Sequence, residues 1–361
     1  MTPVSPGAGA DAEARAAAFR AQATAFLRAR ERWRPAEALP WVLAVGFFFV
    51  MPDYAVLGTT IFVMALFALS LDLVLGYAGV VTLGHTAFFG VGAYAAGMIS
   101  AHLGWNEPLS GLAFGAACAA LAGLVSGWVL LRYHGLAFLM LTLATAILLQ
   151  ELANTLEDWT GGFDGLTGIT IDPILGVFEN DLWGHHYYWY SLAVLFLCFL
   201  VFRRLVHSPF GRSLTGVREN MRRMHAVGAP VHRRLVVAYT ISAAMAGLAG
   251  ALFAQQNQFV TLDVLSFARS GTVLIVLILG GTGRLYGALV GALVYVTLED
   301  ELAKLSPEFW EFGVGLVLVL TVLFFRGGLL GAPEVVAARL RRARGRNRAP
   351  GRTREQGRER A

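Results

Sequence analysis

Two ionisable side chains, Asp72 and His85, stand in a stretch otherwise apolar enough to lie in a membrane: LDLVLGYAGVVTLGHTAFFGVGAYAAGM, residues 71–98. A carboxylate in hydrocarbon has to be paired, hydrated or protonated. An imidazole at that depth either locks two helices together or lines a path. Around them come Gly76, Gly79, Gly84, Gly90, Gly92 and Gly97. Glycine loosens a helix by roughly 1 kcal/mol relative to alanine, and it lets backbones touch. Helices broken at membrane depth persist only where protein packs around them or a wet cavity lies beside them. Asp72, Gly76, Gly79, Gly84, His85, Gly90 and Gly92 are therefore the expected lining of a translocation path. Within it, Asp72 is placed to cap a helix broken near Gly76–Gly79, and His85 is expected to be a satisfied, buried lock between helices.

The second informative stretch is RRLVHSPFGRSLTGVRENMRRMHAVGAPVHRR, residues 203–234. Ser213 or Thr215 predicts the N-cap of a short helix reaching about Val227, and Gly228 with Pro230 stops it. Val217, Met221, Met224 and Val227 recur at helical spacing, with Arg218 and Glu219 beside them. A basic loop between spans needs arginines but not a capped helix with an apolar stripe. Such a helix is a docking element for a soluble partner. The competing reading lays it on the lipid surface.

Other chemistries lack their residues. GGTGRLYG has no GK[ST] ending, so it is not a P-loop. There is no HExxH and no CxxC, and His185–His186 sits in an expected outer loop without a second ligand pair, so no metal site is predicted. Cys118 and Cys198 fall inside apolar spans and read as small buried hydrophobes, not as a disulfide.

These residues must be positioned by a membrane bundle. The chain of 361 residues is 56% hydrophobic and 15% charged, too few charges to cover a soluble surface. Strict alternation is missing, which argues against a β-barrel. The fold class is all-α and polytopic, with about ten transmembrane helices including broken or re-entrant segments. Spans are expected near 38–51, 56–76, 83–103, 110–131, 135–154, 189–206, 235–256, 268–281, 285–298 and 311–326. The pair 268–281 and 285–298 is short enough to be re-entrant. Residues 1–36 read as a cytoplasmic segment, either an interfacial helix over 11–34 or a flexible tail. Residues 37–330 are expected to form the transmembrane domain. Residues 331–361 form a basic, disordered cytoplasmic tail that membrane lipid can attract.

Charge orients the bundle. The 29 basic residues include a single lysine, Lys304, and most of the arginines form three blocks. Loop 155–188 is acidic and carries no Lys or Arg. Loop 207–232 is basic. The positive-inside rule then puts both termini and loop 207–232 in the cytoplasm and loop 155–188 outside. This distribution serves orientation and does not point to nucleic acid. GYAGVVTLGHTAFFGVGAY (76–94) and GGTGRLYGALVGALVY (280–295) share a glycine-punctuated style, the pointer to an internally repeated transporter. GxxxG spacing at Gly111–Gly115, Gly123–Gly127 and Gly287–Gly291 predicts close helix packing.

GYAGVVTLGHTAFFGVGAYAAGM, TGGFDGLTGI (160–169), GRSLTGVRENMRRMHAVGAPVHRRLVVAYTISAAMAGLAGALFA (211–254) and VLILGGTGRLYGALVGALV (276–294) resemble, in this order, motifs of the LivM-type permease subunits of branched-chain amino-acid ABC importers. The resemblance covers roughly residues 55–330. It implies the ABC importer permease fold in a bacterial inner membrane and transport of branched-chain or related small amino acids. It also implies no cofactor, a homologous LivH-type permease subunit, two cytoplasmic ABC ATPase subunits and a periplasmic solute-binding protein. ATP would be hydrolysed by those separate subunits. Val217, Arg218, Glu219, Met221, Met224 and Gly228 would then belong to the coupling helix seated in an ATPase groove. The chain departs from the family pattern at Asp72, where Asn is usual, and at Val80, where Gln is usual. Permeases for urea or short amides are the alternative within the resemblance. A secondary transporter or a membrane-embedded transferase using Asp72 and His85 is the alternative outside it.

Overall fold

A computed structural model describes residues 35–173, 185–324 and 328–331. The described residues fall into two units that part at Pro52. The helix expected over 11–34 and the tail 332–361 lie outside the described residues. The first unit holds α1 (Leu39–Val50), apolar throughout.

In the second unit α2 (Ala55–Asp72) runs into a π-helical turn, Leu73–Tyr77. Then follow α3 (Thr86–Leu103), α4 (Pro108–Leu130), α5 (Leu136–Thr155), α6 (His185–His207), α7 (Pro209–Glu219) and α8 (Met221–Ala226). The chain continues with α9 (Val231–Asn257), α10 (Phe267–Gly280), α11 (Gly287–Leu305) and α12 (Trp310–Phe324). Among the described residues, six helices are both long and apolar enough to cross a membrane: α2 with its flanking turns, α3, α4, α5, α6 and α9. Shorter apolar helices are α1, α10 and most of α12.

Helix α2 is apolar around its circumference and, from Ala65 to Asp72, buried on every side, so it is the core of the bundle. It packs on α6, α9, α10 and α11. The other centre is the triple contact of α3, α4 and α9. Small residues make it close. An ideal Cβ on Gly92 would overlap the Gly247 backbone, and one on Gly115 would lie 2.8 Å from Gly92 O. A Cβ on Gly127 would lie 2.7 Å from the Tyr239 ring. The GxxxG pairs therefore pack within the chain: the two in α4 face α3 and α9, and Gly287–Gly291 faces α10.

One end of this unit gathers the ends of α2, α4, α6, α9 and α10 with Arg132, Arg203, Arg204, the arginines of 212–234 and Arg284. The other end gathers Glu107, Asp158, Asp164, Asp263, Asp300 and Glu308. There a short antiparallel bridge joins Leu166 to Val260, and Ser100 Oγ donates to Thr170 O at 2.6 Å. Leu166 and Ile169 of the TGGFDGLTGI segment lie over Gly97 of α3.

Four expectations are corrected here. The pair expected to be re-entrant runs from one end to the other and back: α10 starts beside Asp263, and α11 ends where Lys304 lies 5.5 Å from the Tyr54 ring. Helix α11 outlasts its apolar run, and in the added turns Asp300 and Lys304 pair (2.5 Å) one turn apart on the same face. His185 and His186 open α6 instead of lying in a loop. Cys118 and Cys198 are only half-buried.

Candidate functional site

The break expected near Gly76–Gly79 is present, and it is where distant parts of the chain meet. The π turn widens the end of α2, and Gly79 (φ +74°) turns the chain out of it, into a left-handed conformation that suits glycine. The Val80 N–H bonds back to Val74 O at 2.9 Å. The loop 281–286 between α10 and α11 lies against this turn. Asp72 is fully buried, and its Oδ1 accepts from Gly283 N–H at 2.7 Å. The carboxylate therefore does not cap its own helix. It ties the first glycine-rich loop, 76–79, to the second, 280–283. A Cβ on Gly76 would overlap Asp72 and stand 2.5 Å from Gly283 N, so glycine alone permits the approach.

The third party is Arg218 of α7, whose Nη1–H donates to Gly76 O. Its stem covers Gly79, where a Cβ would lie 2.5 Å from Arg218 Cγ. Cations are favoured at helix C-termini, where carbonyls lack partners. Aromatic rings of α6 close the other side: Phe202 meets Tyr77 (5.6 Å between centroids) and Phe199 meets Tyr286 (4.9 Å). Arg284, next to Gly283, donates to Leu330 O at 2.7 Å.

The basic loop differs in detail from its expected form. Its helix begins at Ser208, whose Oγ accepts from Gly211 N–H at 3.3 Å, with Pro209 in the first turn. Ser213 and Thr215 instead bond their own helix carbonyls, Phe210 O and Gly211 O. Asn220 is extended and breaks the helix in two. Its Oδ1 then caps α8 by accepting from Arg223 N–H at 2.9 Å. The break rotates the expected stripe apart. Val217 (2% exposed) and Leu214 are buried on α6 and α9, Met224 lies against Gly216, and Val227 is 78% exposed. Glu219 is exposed, and Met221 is half-buried. Gly228 (φ +81°) ends α8. Arg218 is exposed on α7, and its guanidinium is turned onto the π turn at Gly76 O.

The remaining path residues lie elsewhere in the packed interior. His85 is buried, stacked on Phe67 (5.7 Å), with Nε2 2.9 Å from Ser70 Oγ. Ser70 Oγ also lies 2.6 Å from Phe67 O, to which it can donate. Beside this pair Ser242 Oγ donates to Ser70 O (2.5 Å), and Thr86 Oγ1 meets Ser270 Oγ (2.7 Å). These bonds lock α2, α3, α9 and α10; His85 contributes through Nε2 alone, and its Nδ1 is buried without a hydrogen-bond partner, so it is not the fully satisfied residue expected. A Cβ on Gly84 would overlap Thr142 O, and one on Gly90 would overlap the Leu265 side chain. Gly84, Gly90 and Gly92 are thus contact points between elements, with no space along them for a solute in this conformation. Gly283, Ser70, Ser242 and Ser270 were not singled out from the sequence; only the repeat at 280–295 hinted at Gly283.

The Asp72 contact makes a prediction. Asp72→Asn retains an oxygen for Gly283 N–H and should leave the thermal melt of the detergent-purified protein close to that of the unsubstituted chain. Asp72→Ala strands a buried donor and should cost about 1–3 kcal/mol. Equal melts for the two variants would remove the bond from the account.

Residues 54–322 match the family described as branched-chain amino acid transport system / permease component. The high-affinity branched-chain amino acid transport system permease protein LivM of Escherichia coli K12 is 29% identical over 316 residues, covering 80% of this chain and 73% of that protein. Its LivH counterpart is 26% identical over 75% of this chain and 92% of its own length. The autoinducer 2 import system permease protein LsrC of Escherichia coli O157:H7 is 29% identical over 65% of this chain and 70% of that protein. No solved structure matches the chain. A family match spanning all described apolar helices from α2 to most of α12, together with the glycine-loop junction and the basic helix pair beside it, identifies the chain as a member of the branched-chain amino acid transport permease family, a multi-pass membrane protein.

Proposed function

We propose that this chain is one membrane-spanning subunit of an ATP-driven importer for branched-chain or closely related small amino acids. It works with a homologous LivH-type permease subunit, two cytoplasmic ATPases that hydrolyse the ATP, and a periplasmic solute-binding protein. It lies in the inner membrane with both termini and loop 207–232 in the cytoplasm. The observation that carries this reading is the helix pair α7–α8. Helix α7 is seated on the bundle by Leu214 and Val217, while α8 stands with Arg222, Arg223, His225 and Val227 exposed at the basic end. A secondary transporter has no use for such an element. A proton relay through Asp72 and His85 is also disfavoured, because the first binds Gly283 N–H and the second binds Ser70.

Reconstitution of the chain with its partner subunits in proteoliposomes tests the reading. Uptake of leucine, isoleucine or valine should require both ATP and the loaded binding protein. Uptake driven by a proton gradient without ATP would overturn it, and ATP-dependent uptake of short amides or autoinducer-type solutes alone would overturn the solute class. Orientation is tested separately in a cysteine-free background. A cysteine at position 164 should react with an impermeant maleimide added outside, and one at position 222 only after permeabilisation. The reverse pattern would invert the assigned topology.

A further inference from the structure

We propose that Arg218 is a positioning residue of the transport cycle: a strut that carries movement of the cytoplasmic helix pair into the break of α2 and the loop 281–286. The proposal rests on the coupling reading above and deepens it, because it assigns Arg218 to the membrane domain and not to the ATPase surface.

Three contacts define the strut. The guanidinium donates to Gly76 O in the π turn. The stem lies on Gly79, so that a Cβ there would stand 2.5, 3.1 and 3.2 Å from Arg218 Cγ, Cβ and Cα. Nη1 also adjoins the second loop, 2.9 Å from where a Cβ on Gly283 would be. The charge reaches Asp72 electrostatically, and Asp72 already holds Gly283 N–H. Arg218 thus touches both glycine loops at the point where a carboxylate clasps them to each other. An arginine suits this place because its rigid fork keeps direction, which a lysine on a flexible stem does not.

The surroundings make the contact able to transmit displacement. Val217, the neighbour of Arg218, is buried, and Leu214 one turn earlier is fully buried, so α7 moves with what it is seated on. Asn220, two residues on, is the extended joint to the exposed α8. A partner pushing α8 pivots it about Asn220 and loads α7 at its C-terminal end, where Arg218 projects. The receiving element is a π turn ending in a left-handed glycine, and short π segments inside α-helices recur at functional sites. Packed cores respond to such loads by switching between discrete arrangements, not by bending smoothly.

The test uses the full complex in proteoliposomes, measuring solute-stimulated ATP hydrolysis and uptake in the same sample. R218M removes the donor and charge but keeps a stem of similar length. G79A leaves Arg218 in the chain and fills the space its stem occupies. Both variants should co-purify with the ATPases and hydrolyse ATP, while solute moved per ATP falls at least tenfold. R218K should fall between. A purely structural role would lower yield or melting temperature without changing solute moved per ATP, and that outcome overturns the proposal. Loss of ATPase co-purification in R218M would also overturn it, by returning Arg218 to the docking surface. If R218M does not accumulate, R218K takes its place: a fall in solute moved per ATP supports the strut, and an unchanged ratio or lost co-purification overturns it. An unsubstituted complex that moves solute without ATP would instead refute the importer reading itself.

Discussion

Gly92→Leu should yield almost no folded protein. The space a side chain would need is the backbone of α9 at Gly247, and on the other side Gly92 O already touches Gly115 of α4. A flexible neighbour can step aside, but two helix backbones cannot do so without separating α3 from α4 and α9. Overpacking a core usually costs about 1–3 kcal/mol, and backbone overlap costs more. Against a total stability of roughly 5–15 kcal/mol, that is decisive. Gly84→Leu, aimed at Thr142 O, should behave alike. The control is Gly271→Ala in α10, where nothing lies within 4 Å of the new Cβ, so the stability should hold or rise by up to about 1 kcal/mol. Size-exclusion profiles of the detergent-extracted variants check this. A monodisperse Gly92→Leu variant with an unshifted melt would mean that α3 and α9 do not cross at these glycines.

Reversing two charges on α8, Arg222→Glu with Arg223→Glu, should produce the opposite phenotype: a sound permease that is functionally mute. Both side chains are exposed, so nothing in the bundle depends on them. Many other arginines remain at the basic end, so orientation should be kept. Interfaces concentrate energy in a few side chains worth about 2 kcal/mol or more each, and two reversals also add repulsion. Co-purification with an ATPase and ATP-dependent uptake should both be lost, with the melt unchanged. Val217→Asp should separate from it cleanly. Val217 is buried on the membrane domain, so an aspartate there should cost several kcal/mol and reduce the yield of the permease itself. Retained co-purification in the double reversal would remove α8 from the ATPase contact.

The membrane helices were legible because long apolar runs leave the backbone little choice in lipid. The break after α2 was legible too, because Gly76 and Gly79 follow a carboxylate in an apolar run, whereas the later glycines of the same stretch serve close packing. What misled in the basic loop was competition among nearby capping residues. Ser208 followed by Pro209 caps the helix, while Ser213 and Thr215, equally good by type, turn their hydroxyls to carbonyls of the turn already formed. Asn220 reads as an ordinary helical residue until its side chain is seen capping α8. Helical spacing then grouped Val217 with Met221 and Met224 across a joint that separates them. The Asp72–Gly283 bond lay beyond local reasoning altogether. A carboxylate announces that it needs a donor, but not which backbone N–H, and here the donor is 211 residues away.

That separation bears on how the protein is made. Ser70 and Asp72 leave the ribosome long before Ser242 and Gly283, which follow 172 and 211 residues later. At about 5–20 residues per second, the wait is on the order of ten to forty seconds. During it α2 carries a carboxylate with no donor in a segment otherwise greasy enough to partition into lipid. Helix α10 has the converse difficulty: its 14 residues cover about 21 Å, short of a bilayer's roughly 30 Å of hydrocarbon. Helix α2 is apolar enough to enter the membrane, but its carboxylate gains its donor, and α10 its packing against α2, only once both are made. Biogenesis of this chain is therefore a problem of escort: α2 has to be sheltered beside the translocon or an insertase until the chain past residue 283 arrives. A nascent chain arrested before that residue should remain associated with that machinery, and one released after α11 should depart from it.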